Sequence, residues 1–163
     1  MCIQTVCIKT MADTSLNENR LALLIWQTAN LWQSKVRIKL KESEITLNEY
    51  LILETIYLLQ KKNVNITQQE ICKNASIDRS VVSLRVSKLE EKELISKQQP
   101  KDRRSDSLTL TAAGNNLINN IIDNIVELEN ELFSKLGSEI FNFTNSLKLL
   151  LGKKIRIRAK LND

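Results

Sequence analysis

Apolar residues recur every three or four positions over most of this 163-residue chain, which is the spacing of helices with one buried face. Only three glycines and one proline interrupt the pattern, so long helices are expected. The pattern predicts six helices, with one short alternating stretch between the fourth and the fifth. The expected ranges are 15–41, 47–61, 68–74, 79–93, 112–136 and, for the last helix, from 138 onward.

Hydroxyl side chains followed three residues later by glutamate mark the starts of three of these helices. In such a capping box the hydroxyl accepts the N–H of the third helical residue, while the glutamate accepts the N–H of the capping residue. The three pairs are Ser15 with Glu18, Thr46 with Glu49, and Thr67 with Glu70. Asp78 is expected to be the N-cap of the fourth helix.

The third and fourth predicted helices are short, and a tight turn at "ASID" separates them. In the fourth helix Val82, Val86 and Leu89 fall at i, i+4 and i+7, which predicts a buried stripe. Serine and arginine side chains then lie on the opposite, exposed side. Two short helices joined by a tight turn are the layout of a helix-turn-helix motif.

Two strands are expected after the second short helix, over residues 94–99 and 107–110. In the second strand two leucines alternate with Ser107 and Thr109, which is the period of a strand with one buried face. A hairpin in this position makes the motif a winged helix-turn-helix. The predicted fold class is therefore mainly α with a small β-hairpin wing, flanked by long dimerisation helices.

The long flanking helices carry more apolar surface than the small winged core can cover. A second copy of the chain is the simplest partner for that surface, so residues 15–45 and 112–163 are expected to form a helical dimerisation region. Residues 46–111 then form the winged helix-turn-helix, and residues 1–14 are expected to be a flexible extension. Met11 opens the segment "MADTSLNE", which reads as an alternative translation start.

The segment "ITQQEICKNASIDRSVVSLRVSKLEEKELISKQQPKDRRSDSLTLTAAG", residues 66–114, resembles the MarR family of bacterial transcription regulators. The likeness is carried most strongly by "DRR" between the two strands, then "LTLT", and then a glycine in the helix that follows. The resemblance implies a homodimer that binds a pseudo-palindromic site on double-stranded DNA and acts as a ligand-responsive repressor. The segment departs from the family pattern in two ways: Glu93 stands where glycine is usual, and Leu84 and Arg85 stand in reversed order.

Residues on two elements are candidates for contacts with DNA. The N-terminal part of a recognition helix enters the major groove, where arginine can pair with guanine and hydroxyls can reach bases or phosphates. On the helix the candidates are Arg79, Ser80, Ser83, Leu84, Ser87 and Lys88. Two alternatives stay open for Leu84, which either meets thymine methyl groups or packs against the wing. In the wing the resemblance puts Arg104 in the minor groove, with Asp102 orienting it and Lys101 and Arg103 near phosphates.

The resemblance also implies a cleft for a small aromatic or anionic effector. Aromatic side chains on helices that should line this cleft are Trp26, Trp32, Tyr50 and Tyr57. The alternative is that they fill the core or the dimer interface. Some relatives in the family sense oxidants through a cysteine near the first helix, which makes Cys7 the redox candidate unless translation begins at Met11. Cys72 is expected to be a small buried residue.

Composition narrows the class of function. A formal net charge of +5 permits an anionic partner. Histidine is absent, and the sequence contains no nucleophile–base pair, metal-ligand spacing or glycine-rich phosphate loop, so no enzyme, cofactor or metal site is expected. Three cysteines, no secretory signal and no apolar run of roughly 20 residues predict a cytoplasmic protein without a membrane span. A protein–protein interaction module is the alternative, favoured by the glutamates at 90, 91 and 93.

Overall fold

The computed structural model describes residues 20–98 and 107–155, and contacts divide the chain into two units, Met1–Ile125 and Val126–Asp163. The described part is mostly helical with one antiparallel hairpin, which confirms the predicted fold class. The elements are α1 (Leu21–Leu40), α2 (Leu47–Gln60), α3 (Gln68–Ala75), α4 (Arg79–Glu91), β1 (Ile95–Gln98), β2 (Ser107–Leu110), α5 (Ala112–Phe133) and α6 (Ile140–Leu150). Short 3-10 turns follow α1 and α5.

Helix α1 exposes most of the apolar stripe that predicted it. Val36 and Leu40 near its C-terminus are buried, whereas the apolar side chains nearer its start are exposed or only half-buried. The exposed ones include Leu21, Leu24 and Leu31. The predicted start at residue 15 and its capping box lie outside the described residues. Within the described part of the chain, a long apolar face of α1 is therefore left without cover.

The core of the first unit is formed where α2, α3, α4 and the hairpin meet. The predicted stripe of α4 is fully buried in it, as is Ile71 of α3. Helix α2 supplies the largest share of the remaining core residues: Tyr50, Ile52, Leu53, Ile56 and Leu59. Thr46 caps α2 with both bonds of the predicted box, since its hydroxyl accepts the Glu49 N–H and the Glu49 carboxylate accepts the Thr46 N–H.

The hairpin pairs β1 with β2 in one register, in which Ile95 lies opposite Leu110. The Ser96 and Thr109 hydroxyls form a cross-strand hydrogen bond of 2.8 Å. On its other edge β2 is tied to the loop before α3, because the Leu108 N–H donates to the Ile66 carbonyl at 2.8 Å. The base of the wing is thus fixed on both sides of β2.

Helix α4 ends with a residue in the left-handed conformation, although no glycine is available there. Glu93 has φ 55°, its N–H donates to the Glu90 carbonyl, and the Leu94 N–H donates to the Leu89 carbonyl. This pair of bonds is the Schellman arrangement that glycine usually permits. The helix therefore ends in the same way as a helix capped by glycine. Its last residue, Glu91, lies two positions before the predicted end. Leu94 takes part in the helix end, and the strand begins one residue later than predicted, at Ile95.

The first turn of α5 approaches the backbone at the end of α4 very closely. The Thr111 N–H donates to the Leu94 carbonyl at 3.1 Å, and the Thr111 hydroxyl donates to the Glu93 carbonyl at 2.7 Å. A Cβ atom added to Gly114 would lie 2.0 Å from the Leu94 carbonyl oxygen. Glycine is required here by close packing of one backbone against another.

The second unit contains the end of α5, a 3-10 turn and α6. Helix α5 ends at Phe133, three residues before the predicted Leu136, and Gly137 interrupts the turn with φ 51° and ψ −127°. The predicted break at Gly137 is therefore present, but the helix has already tightened before it. None of the helices in the described part of the chain combines the length and apolar character that a membrane crossing requires.

Candidate nucleic-acid interface

The helix-turn-helix is built from two helices with well-defined ends. The Thr67 hydroxyl accepts the Glu70 N–H at the start of α3, but the reciprocal bond of the expected box is not formed. The turn follows through Ser76, which has φ 54°. Asp78 occupies the N-cap of α4 as predicted, although its side chain makes no capping hydrogen bond. These ends fix the direction in which α4 leaves the turn.

All six helix residues predicted to contact DNA lie on the exposed side of α4. With 3.6 residues per turn, a buried stripe through Val82, Val86 and Leu89 turns the opposite face of the helix toward solvent. That face carries Arg79, Ser80, Ser83, Leu84, Ser87 and Lys88. Leu84 is 55% exposed among them. The structure thus brings two cations, three hydroxyls and one apolar side chain together on this face.

A buried ion cluster behind α4 was missed by reasoning from the sequence. The Glu49 side chain is buried, with its Oε2 atom 3.4 Å from the Lys92 Nζ and its Oε1 atom 3.9 Å from an Arg85 nitrogen. Lys92 also donates to the Glu44 carbonyl at 2.8 Å. The signal in the sequence was the reversed order of Leu84 and Arg85, which turns the leucine outward and the arginine toward α2.

The electrostatic state of Glu49 follows from these contacts. Burial alone would raise the pKa of its carboxyl group, but the hydrogen bonds with Thr46 and the nearby Lys92 ammonium outweigh burial and leave the pKa lowered. The carboxylate is therefore charged at neutral pH and available to hold both cations. Arg85 is less well satisfied, since its buried Nε atom has no hydrogen-bond partner within the described residues.

A second ion pair joins α4 to the wing. The Lys97 ammonium on β1 contacts the Glu90 carboxylate near the end of α4. Of the three glutamates that favoured a protein-binding surface, Glu90 is thus engaged within the unit and Glu93 forms the helix end. The Glu91 and Glu93 side chains are both exposed, since only the backbone of Glu93 takes part in the helix end.

Several predicted residues lie outside the described part of the chain. These include the wing residues Lys101, Asp102, Arg103 and Arg104, and the redox candidate Cys7. Cys72 is described and is half-buried, where a fully buried residue was expected. Within residues 20–98 and 107–155, no three or more histidine, cysteine, aspartate and glutamate side chains are grouped to hold a metal ion.

The four aromatic residues proposed for effector binding have different surroundings. Trp26 is 65% exposed on α1, whereas Tyr50 is buried with its hydroxyl 3.0 Å from a Glu54 carboxylate oxygen. Tyr57 lies beneath the Lys61 ammonium, 4.0 Å from the ring centroid, and Trp32 is half-buried. A cavity of about 270 Å³ between the end of α1 and α5 is lined by none of them. Its lining residues are Lys39, Glu42, Ser43, Leu117, Asn120, Ile121, Asn124 and Ile125.

Comparison with known proteins finds a family match for part of the chain. Residues 45–105 match the model of the MarR family. This segment is therefore similar to a MarR-family domain. The matched segment contains α2, α3, α4 and β1, together with the buried Glu49 and the exposed face of α4.

Similar proteins match this chain well beyond residues 45–105. The uncharacterized HTH-type transcriptional regulator YdcH of Bacillus subtilis (strain 168) is 28% identical over 129 residues, which are 78% of this chain and 87% of YdcH. The Staphylococcus aureus MepR–DNA complex is 25% identical with a TM-score of 0.73, over 83% of this chain and 97% of MepR. BpsR of Bordetella bronchiseptica, 16% identical with a TM-score of 0.70 over 82% and 99% of the two chains, shares the fold.

Proposed function

We propose that the protein is a transcription regulator that binds double-stranded DNA through α4 and the wing. The observation that carries the proposal is the exposed face of α4, where Arg79, Lys88 and three serines surround Leu84 on a helix of the segment that matches the MarR family. The net charge of +5 favours an anionic partner. The MepR structure with DNA supports this use of the fold, since MepR is similar over nearly its whole length.

The dimensions and chemistry of α4 suit the major groove. A helix with side chains is about 10–12 Å across, and the groove is about 12 Å wide. Arg79 is proposed to pair with a guanine, Ser80 and Ser83 to bond bases or phosphates, and Ser87 and Lys88 to contact the backbone. The Ser87 hydroxyl donates to the Ser83 carbonyl at 3.2 Å in the free protein, so it would contact phosphate as an acceptor or after turning.

The wing is proposed to add a minor-groove contact. Arg104 is assigned the role of the inserted cation, because guanidinium is always charged and narrow grooves concentrate negative potential. Asp102 is assigned to orient Arg104, and Lys101 and Arg103 to contact phosphates. The register of β1 and β2 supports the proposal, because both strands at the base of this loop are anchored.

We further propose that the protein acts as a homodimer and a repressor. The uncovered apolar face of α1 supports dimerisation, because a second chain would remove it from water. Two copies of α4 would enter successive major grooves about 34–36 Å apart. A small aromatic or anionic effector would weaken binding by favouring a dimer with another spacing. Trp26, Trp32, Tyr50 and Tyr57 are the proposed contacts, and Tyr50 would require a movement of α2 to reach a ligand.

Genomic footprinting of the purified protein, followed by binding to the selected duplex at increasing salt, tests the proposal. Binding should be tightest at low salt and fall steeply, because phosphate contacts release counterions. Arg104→Ala should cost about 1–3 kcal/mol of DNA-binding free energy. Arg37→Ala is the matched control, since Arg37 is an exposed arginine of α1 that bonds Gln33. Absence of duplex binding at about 50 mM salt would support the protein-binding alternative instead.

A further inference from the structure

The buried carboxylate of Glu49 joins the start of α2 to two points on α4. Arg85 contacts it from the middle of α4, and Lys92 contacts it from the residue that caps the helix. Lys92 is held a second time, by the Glu44 carbonyl in the connection before α2. One carboxylate therefore anchors α4 at points about two turns apart, on the side away from the proposed DNA face.

Stability alone does not explain this cluster well. Burial of the Glu49 carboxylate is costly because it loses its hydration, and this loss offsets much of the attraction to Arg85 and Lys92, whose side chains remain 25% and 39% exposed. The Arg85 Nε atom is buried and has no hydrogen-bond partner among the residues that the structure describes, which adds a further cost. The apolar stripe of α4 already attaches the helix to the core. Apolar contacts depend little on orientation, whereas the hydrogen bonds from Lys92 to the Glu49 carboxylate and the Glu44 carbonyl depend on it strongly, and the Arg85 guanidinium adds a charge contact at 3.9 Å.

The orientation of α4 about its own axis decides which side chains reach the base edges. Side-chain tips lie about 5–6 Å from a helix axis, so a rotation of roughly 20° moves them by about 2 Å. Such a shift exceeds the tolerance of a hydrogen bond to a base edge. A device that fixes rotation would therefore matter more for sequence discrimination than for attraction to phosphates.

We propose that Glu49 is a positioning residue for DNA recognition, which acts through Arg85 and Lys92 to fix the rotation of α4. This inference rests on the proposed function, in which α4 reads the major groove. Glu49, Arg85 and Lys92 need not touch DNA in this role. Their effect is on the ratio of affinity for the operator to affinity for unrelated duplex.

The test replaces the cluster by apolar side chains in one variant, Glu49→Leu with Arg85→Leu and Lys92→Met. Affinity is measured for the footprinted duplex and for a scrambled duplex of the same composition, beside the thermal midpoint of each protein. The triple variant lowers the net charge by one, since one anion and two cations are removed. Lys39→Met, on the exposed surface of α1, is the control with the same change of charge.

The triple variant should stay folded but unfold at a somewhat lower temperature than the wild type, because Glu49→Leu also removes the acceptor of the Thr46 N–H. Its operator-to-scrambled ratio should fall roughly ten- to hundredfold, as for the loss of one or two base contacts. An unchanged ratio in a folded triple variant would overturn the proposal. If the triple variant does not fold, the same affinity ratio is measured for Glu49→Gln, which keeps the shape of the side chain and an oxygen for the Thr46 N–H. An unchanged ratio in Glu49→Gln would then refute the proposal. Failure of the wild type to bind any duplex would instead refute the proposed function.

Discussion

Replacing Gly114 by alanine should destabilise the protein by about 3 kcal/mol, although alanine is normally the better helix former. The new Cβ would lie 2.0 Å from the Leu94 carbonyl oxygen and 3.0 Å from its carbon. Both are backbone atoms, so no side-chain rotation can relieve the contact, and the start of α5 must move by about 1 Å or more to restore ordinary packing distances.

The magnitude follows from three contributions. Overpacking of this kind costs typically 1–3 kcal/mol. The displacement also disturbs the two bonds that Thr111 makes to the Leu94 and Glu93 carbonyls, each with a net value of about 1 kcal/mol. The gain in helix propensity from glycine to alanine, about 1 kcal/mol, offsets part of the loss.

Thermal unfolding followed by far-ultraviolet circular dichroism, at one protein concentration, measures this effect. For a chain of this size the midpoint should fall by roughly 6–12 °C. Ala113→Gly is the matched control in the same turn, where an exposed residue loses only helix propensity and the expected cost is at most about 1 kcal/mol. A Gly114→Ala protein as stable as the wild type would show that the close approach of α5 to Leu94 is wrong.

Three further predictions concern α4 and its neighbours. Replacing thymine by deoxyuracil at the base that Leu84 is proposed to contact should weaken wild-type binding about fourfold, the value of one buried methyl group, and leave Leu84→Ala unaffected; equal sensitivity of both proteins would assign the methyl contact elsewhere. Because the folded pKa of Glu49 is lowered, its contribution to stability is complete above the unfolded value near 4.5 and is lost as pH falls through the folded pKa. Between about pH 6 and 2 the free energy of unfolding in urea should therefore fall less in Glu49→Gln than in the wild type. An equal fall in the two proteins would contradict this. Thr67→Ala should cost about 1 kcal/mol in urea unfolding and Asp78→Ala less, because only Thr67 makes a capping hydrogen bond; the opposite order would contradict the observed caps.

The parts of the fold that depend on periodicity could be predicted from the sequence. Val82, Val86 and Leu89 are spaced for one face of a helix, and all three are fully buried. The alternation around Leu108 and Leu110 likewise identified β2 with its observed bounds. Such patterns are informative because burial of a face is a local requirement repeated along the element.

The parts that depend on packing between distant segments could not be predicted. Glu49 was recognised as a helix cap, but a cap is ordinarily exposed, and only the contact of α2 with α4 buries it. Glu93 was expected to change the end of α4, yet neighbouring hydrogen bonds hold it in the conformation of the missing glycine. The end of α5 at Phe133 was missed because Gly137 was taken as the first break, whereas the helix tightens before it.

Four residues at helix ends have a left-handed backbone conformation, and substitutions there could raise stability. Glu44, Asn63, Ser76 and Glu93 all have positive φ, a conformation that costs an ordinary side chain about 1–3 kcal/mol and costs asparagine less. Glu44 and Glu93 are linked through Lys92, which bonds the Glu44 carbonyl, whereas Asn63 and Ser76 occupy separate connections. Relief at Asn63 and Ser76 should therefore add to relief elsewhere. Substitutions that relieve this strain would therefore raise the free energy of unfolding without changing the exposed face of α4. A lineage under selection for a new operator could combine them with destabilising changes in the residues proposed to read DNA and still keep a folded protein.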